Sequence, residues 1–171
     1  GVKRALSQID PDTMAELFTF LLGLFGIPQN DDNVHLCTSP NYHTAVTTFA
    51  GNALHAKHTV VFMDRWDPEE ALRLIERYRC THTHMVPTQF IRMLQLPDEV
   101  RAKYDVSSMK WAIHAAAPCP VEIKKQMIDW WGPIVDEYYA SSEAIGSTLI
   151  TAEEWLAHPG TVGKALPTCE V

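Results

Sequence analysis

Residues 59–86, TVVFMDRWDPEEALRLIERYRCTHTHMV, carry a complete strand–helix–strand signal, and the rest of the chain is read outward from it. Thr59-Val60-Val61-Phe62-Met63 is a continuous apolar run of strand length, the pattern of a strand covered on both faces. Asp67-Pro68-Glu69-Glu70 opens a helix. Asp67 caps it, Pro68 takes the first helical position, where a missing N–H costs nothing, and Glu70 can reach back as in a capping box. The acidic start also suits the positive end of the helix dipole. Leu72, Ile75 and Arg79 mark successive turns to about Tyr78, and the second strand runs from Thr81 to Val86.

The alternation continues on both sides. Upstream, Asp10-Pro11 starts a helix whose apolar set Met14, Leu17, Phe18, Leu21, Leu22 and Phe25 recurs at helical spacing until Gly26. Residues 34–39 read as a short strand closed by Pro40, and a helix runs from Thr44 to about His55. Downstream come a helix from about Thr88 to Leu96, a strand from Lys110 to His114, a helix from Pro120 to Trp131 and a strand from Ile134 to Tyr139. No repeat or linker divides them. The expected fold is α/β in three αβα layers, a largely parallel sheet with helices on both faces, as one domain over residues 1–171.

Composition narrows the function classes. At 171 residues, with 46% hydrophobic and 20% charged side chains, the chain is globular rather than disordered. Lys and Arg number 14 against 21 Asp and Glu, a net charge of −7 with no basic run, which argues against a nucleic-acid partner. The longest uncharged apolar stretch, residues 17–27, is too short to cross a bilayer and lacks a signal-peptide cleavage pattern. Cys37, Cys80, Cys119 and Cys169 form no CxxC pair and read as reduced thiols of a cytoplasmic protein. No Gly-x-Ser-x-Gly elbow is present, which sets aside a serine hydrolase. His82 and His84 share one strand face without a third ligand at compatible spacing, so a packed pair is expected rather than a zinc site.

Ligands of such sheets sit beyond the carboxyl ends of the strands. Four small or polar segments fall at those ends: Pro40-Asn41-Tyr42-His43, Val86-Pro87-Thr88-Gln89, Ala115-Ala116-Ala117-Pro118 and Ala140-Ser141-Ser142-Glu143. One cleft lined by four strand ends is the expectation. Taken alone, Glu143 reads as a solvated or helix-capping acid and Ser141 and Ser142 as caps of the next turn. His43 alone reads as a turn histidine, and Ala115, Ala116 and Ala117 as tight packing.

The order of these segments resembles the adenylate-forming, AMP-binding superfamily, closest to fatty-acyl-CoA synthetases (acyl-CoA ligases). Tyr139-Ala140-Ser141-Ser142-Glu143 is similar to that family's Tyr-Gly-x-Thr-Glu motif, and His114-Ala115-Ala116-Ala117-Pro118 to its Gly-Gly-Ala-Pro adenine loop. Pro40-Asn41-Tyr42-His43 resembles its Pro-Leu-x-His turn, and Gly160-Thr161-Val162-Gly163-Lys164-Ala165-Leu166-Pro167 its Gly-x-x-Gly-x-x-x-Pro segment. Gly1-Val2 is similar to the tail of its phosphate loop.

The resemblance implies a Rossmann-like nucleotide-binding core from the amino-terminal region of a ligase. It implies ATP, Mg2+ and coenzyme A, and a carboxylic acid, of the fatty class, activated as acyl-AMP. Glu143 matches the magnesium-holding carboxylate, a hard oxygen donor of the kind that ion takes. Ser142 keeps a hydroxyl able to donate to a phosphate. Tyr139 offers a flat face beside the adenine, with Ala115, Ala116, Ala117, Pro118, Ala140 and Ser141 completing the nucleotide site. His43 matches a gating position near the substrate carboxylate.

Ala140 and the pair Ala115 and Ala116 stand where the motifs have Gly, and a backbone there that needs positive φ is strained. By the same resemblance the phosphate loop, the ribose-binding Asp and the domain with the catalytic Lys lie outside these residues. The chain then reads as an internal slice with little ligase activity of its own, partnered by flanking domains. An adenylation domain loading a carrier protein and a non-enzymatic α/β binding domain are the alternatives.

Overall fold

The computed structural model describes residues 13, 20–30, 32–140 and 146–167. The expectations on Gly1-Val2, Asp10-Pro11, Met14, Leu17, Phe18, Ser141, Ser142, Glu143 and Cys169 lie outside the described residues. Strands and helices alternate as β1 (Val34–Cys37), α1 (Thr44–His55), β2 (Thr59–Phe62), α2 (Pro68–Tyr78), β3 (His82–Met85) and α3 (Pro87–Leu94). After a short α4 (Asp98–Arg101) come β4 (Trp111–His114), α5 (Val121–Trp131), β5 (Val135–Ala140), β6 (Ser147–Ile150), α6 (Ala152–Ala157) and β7 (Lys164–Ala165). The strands form one sheet in the order β2-β1-β3-β4-β5-β6-β7. β2 through β5 pair in parallel, whereas β6 and β7 add antiparallel.

The opening strand–helix–strand unit forms for the reasons its sequence contains. Asp67 Oδ1 accepts from the Glu70 N–H at 2.8 Å, and Arg79, at φ 52°, turns left-handed and ends α2. β4 shows how the layers are divided: Ala112 belongs to one apolar cluster and its neighbour Ile113 to the other. The larger cluster gathers Leu72 and Ile75 of α2, Phe90 and Met93 of α3, Met127 of α5 and Trp155 of α6. The smaller one gathers Leu22, Phe25, Ile27 and Phe49 of α1. Helices therefore cover both faces. One expectation fails: the faces of β2, the edge strand of the sheet, are only partly covered, with Thr59 and Phe62 exposed, Phe62 by 52%. A β-branched run satisfies strand geometry whether or not both of its faces are covered.

The face toward α1 is rich in histidine. His35 and His82 are register partners with ring centroids 4.7 Å apart, and His58 meets His82 edge-on at 5.0 Å. His58 Nε2 donates to the Pro28 carbonyl at 3.0 Å. His84 stacks on Phe49 at 4.6 Å, and on the opposite face His114 meets the edge of Phe90. Among the described residues no group of three or more His, Cys, Asp or Glu could hold a metal. Burial disfavours the charged rings, pushing His35 down to about 3, His82 and His114 to about 2 and His84 to about 4.

These rings are neutral when folded and titrate near 6.5 when unfolded, so the unfolded chain binds more protons at mildly acidic pH. Stability is therefore expected to fall as pH drops below about 6.5, by up to about 1.4 kcal/mol per pH unit for each ring. Asp136 opposes this in part, because burial raises its carboxyl to about 6 and its proton favours the fold between that value and the ordinary carboxylate range. Urea midpoints read by tryptophan fluorescence at pH 7.5, 6 and 5 should decrease steadily. A midpoint independent of pH would contradict the neutral buried cluster.

Candidate functional site

The ends of β1 and β3 are stitched together by one buried side chain. Gln89, in the first turn of α3, donates from Nε2 to the Thr38 carbonyl at 3.1 Å and to Ser39 Oγ at 3.2 Å. Its Oε1 accepts from the Val86 N–H at 3.0 Å and from Thr38 Oγ1 at 3.3 Å. Thr38 Oγ1 also reaches the His84 carbonyl at 3.1 Å. Gln89→Leu leaves these buried groups unpaired and is expected to cost about 1–3 kcal/mol. Urea unfolding measures it, and an unchanged midpoint would contradict the stitching role.

Two neighbouring cavities open at the strand ends. The first, of about 480 Å³, lies between β1, α1 and α3 and includes His43, His84, Val86, Gln89, Arg92 and Ala116 in its lining. The second, of about 250 Å³, lies between α1 and the ends of β4 and β5, against Thr48, Phe49, Ala115, Tyr138 and Ala140. Thr44, Ala45 and Ala116 border both, so the two share a wall. α1 can approach this closely because the residues it presents to both cavities, Thr44 and Ala45, have short side chains. A larger depression of about 700 Å³ between β6, α6 and β7 touches none of the expected site residues.

The expected residues divide as follows. His43 and Ala116 line the first cavity, and Ala115, Ala116 and Ala140 the second. His43 stands just before α1 in extended backbone, its ring 4.6 Å from that of Tyr42. Ala117, Pro118 and Tyr139 border neither cavity but are exposed beside them, Tyr139 at 57%. Tyr138, its neighbour along the strand, turns inward instead. Three of the four predicted strand ends thus meet around the cavities. For the fourth, the meeting is described only as far as Ala140.

Ala116 has φ 74°, the left-handed region that glycine occupies freely and alanine does not. The resemblance places a Gly at this position, and the strain expected there is present. Ala116→Gly removes about 1–2 kcal/mol of strain and gives back part of it as unfolded-chain entropy, for a net gain of about 0.5–1 kcal/mol. Thermal unfolding should show a raised midpoint, and a lowered one would contradict the strain.

Behind the second cavity, β5 is anchored by a buried ion pair. Lys124 Nζ, on α5, lies 2.8 Å from Glu137 Oε2 and 4.9 Å from the Trp155 ring centroid. Lys124 is fully buried, and His114 Nε2 approaches the same carboxylate at 3.5 Å. Burial lowers the Lys124 ammonium, opposed by its hydrogen bond to Glu137. The same physics disfavours the thiolate near the cleft: burial pushes Cys119 up to about 11 and also raises Cys37.

The sequence reading placed Gln89 in a cleft-lining segment without a role of its own, and placed no function on His84, Phe49 or Tyr138. Gln89 carried a usable signal, three residues after a helix-start position. The others become cavity residues only through the packing of α1 on the sheet.

The match to known proteins is extensive along this chain. The family described as AMP-binding enzyme matches residues 13–171. A probable CoA ligase of Humulus lupulus is 27% identical over 154 residues, covering 88% of this chain and 28% of that protein. A mitochondrial medium-chain acyl-CoA ligase of Danio rerio is 36% identical over 104 residues, 58% of this chain and 17% of that protein. Among solved structures, ATP-bound MatB from Rhodopseudomonas palustris superposes with a TM-score of 0.72 at 27% identity, covering 91% of this chain and 30% of that one. An α/β sheet with its motif loops at one end thus coincides with an established family of nucleotide-using enzymes. The chain belongs to the AMP-binding enzyme family. It spans 20–28% of the length of the curated relatives it matches most extensively.

Proposed function

We propose that these residues form the nucleotide- and acyl-binding segment of an ATP-dependent acyl-CoA ligase. The observation that carries the reading is the meeting of His43, Ala115, Ala116 and Ala140 around two cavities that share a wall, in a chain of the AMP-binding family. Such a protein joins a carboxylic acid, fatty by the resemblance, to the α-phosphate of ATP with release of pyrophosphate, and the thiol of coenzyme A then takes the acyl group and displaces AMP. The donor chemistry fits: Glu143 is a hard carboxylate that would hold Mg2+, and the ion would offset phosphate charge. The small side chains of Ala115, Ala116 and Ala117 let a base approach the backbone, and the exposed ring of Tyr139 offers it a flat face. Ser142 would donate to a phosphate, with Pro118 and Ser141 shaping the same loops. His43, at the mouth of the first cavity, would donate to the acid's carboxylate. The negative net charge makes the cation and local N–H groups the source of anion affinity.

The test is acid-dependent ATP–pyrophosphate exchange over a panel of carboxylic acids. It uses these residues joined to the phosphate loop, ribose site and carboxy-terminal domain of the proposed ligase. Exchange is expected with at least one acid, and Glu143→Gln should lower it about 100-fold or more, the scale of losing a group that stabilises developing charge. Unchanged exchange in that variant, or none with any acid, would overturn the assignment. The 171 residues alone are expected to show no exchange, and robust exchange by them would overturn that part.

A further inference from the structure

The smaller cavity has an aromatic floor. Tyr138 on β5 and Phe49 on α1 line it, their ring centroids 6.1 Å apart. Phe25 packs against Tyr138 at 6.1 Å and against Phe49 at 6.0 Å. Behind them His84 stacks on Phe49 at 4.6 Å and shares a hydrogen bond of 3.1 Å with the Tyr138 hydroxyl. Phe49 is 1% exposed and His84, which separates it from the first cavity, 4%, so a longer ligand must displace buried rings rather than a loose surface side chain. Above the floor, apart from Leu21 on one side, the walls are short: Thr44, Ala45, Thr48, Ala115, Ala116 and Ala140. The space is therefore open where small residues stand and closed where the four rings meet.

We propose that this aromatic floor makes the protein select compact carboxylic acids, of octanoic or benzoic size, and reject long-chain fatty acids. The cavity measures about 250 Å³. At an interior packing density of roughly 0.75, a space of that size holds an acyl group of about ten non-hydrogen atoms. Tyr138 sets the depth, with the His84 hydrogen bond holding its ring across the base. Phe49 supplies the flat surface that a ring or a short chain lies against. The inference rests on the cleft being an acyl-adenylate site.

Binding of non-hydrolysable 5′-O-(N-acylsulfamoyl)adenosines tests both readings separately. The series runs through hexanoyl, octanoyl, dodecanoyl and hexadecanoyl probes, titrated into the joined ligase by calorimetry. The octanoyl probe is expected to bind at least tenfold more tightly than the hexadecanoyl one. Tyr138→Ala should narrow that ratio at least tenfold by opening the base. Phe49→Leu, a milder volume change that spares the fold, should narrow it in the same direction. Equal wild-type affinity for octanoyl and hexadecanoyl probes, or a ratio that neither variant changes, overturns the size limit and leaves the adenylate reading standing. Failure of every probe to bind overturns the adenylate reading, and the size limit with it.

Discussion

Lys124→Ala is expected to destabilise the fold by about 3–5 kcal/mol, because it leaves the buried Glu137 carboxylate without its cation. The ammonium is fully buried, 2.8 Å from Glu137 and over the face of Trp155, so the variant also loses packing between α5, β5 and α6. Exchanging both partners for apolar groups, as in Lys124→Met with Glu137→Leu, should recover most of the loss, since neither side then carries an unpaired charge. Urea unfolding of the two single variants and the double variant measures this. A double variant as unstable as the sum of the singles would contradict the ion-pair account. The pair also bears on the site. Glu137 immediately precedes Tyr138, Tyr139 and Ala140 on β5, so loosening the strand loosens the wall of the second cavity.

Gly163→Ala should be comparably damaging, costing at least about 3 kcal/mol from backbone strain and overpacking together. Gly163 has φ 91°, which an L side chain rarely adopts. A Cβ there would drive into the Leu149 carbonyl, 2.5 Å from its carbon and 2.8 Å from Ile150 Cβ. These atoms belong to β6, against which β7 pairs, so β7 would have to leave the sheet. Gly160, at φ 90°, has its nearest obstruction at 3.5 Å on a side chain, so Gly160→Ala should cost less. Thermal unfolding of both variants checks the order. Equal losses at the two positions would contradict the close approach at Gly163.

The parallel half of the sheet could be read from sequence because its signals are local. Asp67-Pro68-Glu69-Glu70 caps α2 as the residue types require, and five apolar runs became β1 to β5 within a residue or two. The antiparallel end could not. β6 has four residues and β7 two, and each exists through its pairing with a neighbour rather than through its own pattern. α6 had a signal that went unread: Thr151 accepts from the Glu154 N–H at 3.2 Å in a capping box, but the helix is only six residues long. β2 read as covered on both faces because its apolar composition does not record that it lies at the sheet edge.

The site was legible in outline. Strand-end reasoning found the segments bearing His43, Ala115, Ala116 and Ala140, and the motif comparison explained why left-handed backbone at Ala116 carries strain. Neither showed that Tyr138, rather than Tyr139, turns inward. That choice is set by the register of β5 against β4 and β6. The three-histidine pile was hidden for the same reason: only the β1–β3 register sets His35 beside His82.

The central claim is that the paired cavities at the strand ends are where an acyl-adenylate sits. The most direct measurement is a crystal structure of the joined ligase with 5′-O-(N-octanoylsulfamoyl)adenosine. The adenine is expected against the loop at residues 116–118 and the face of Tyr139, with the octanoyl chain ending on Tyr138 and Phe49. Density for the molecule in the depression between β6, α6 and β7, with the strand-end cavities empty, would contradict it.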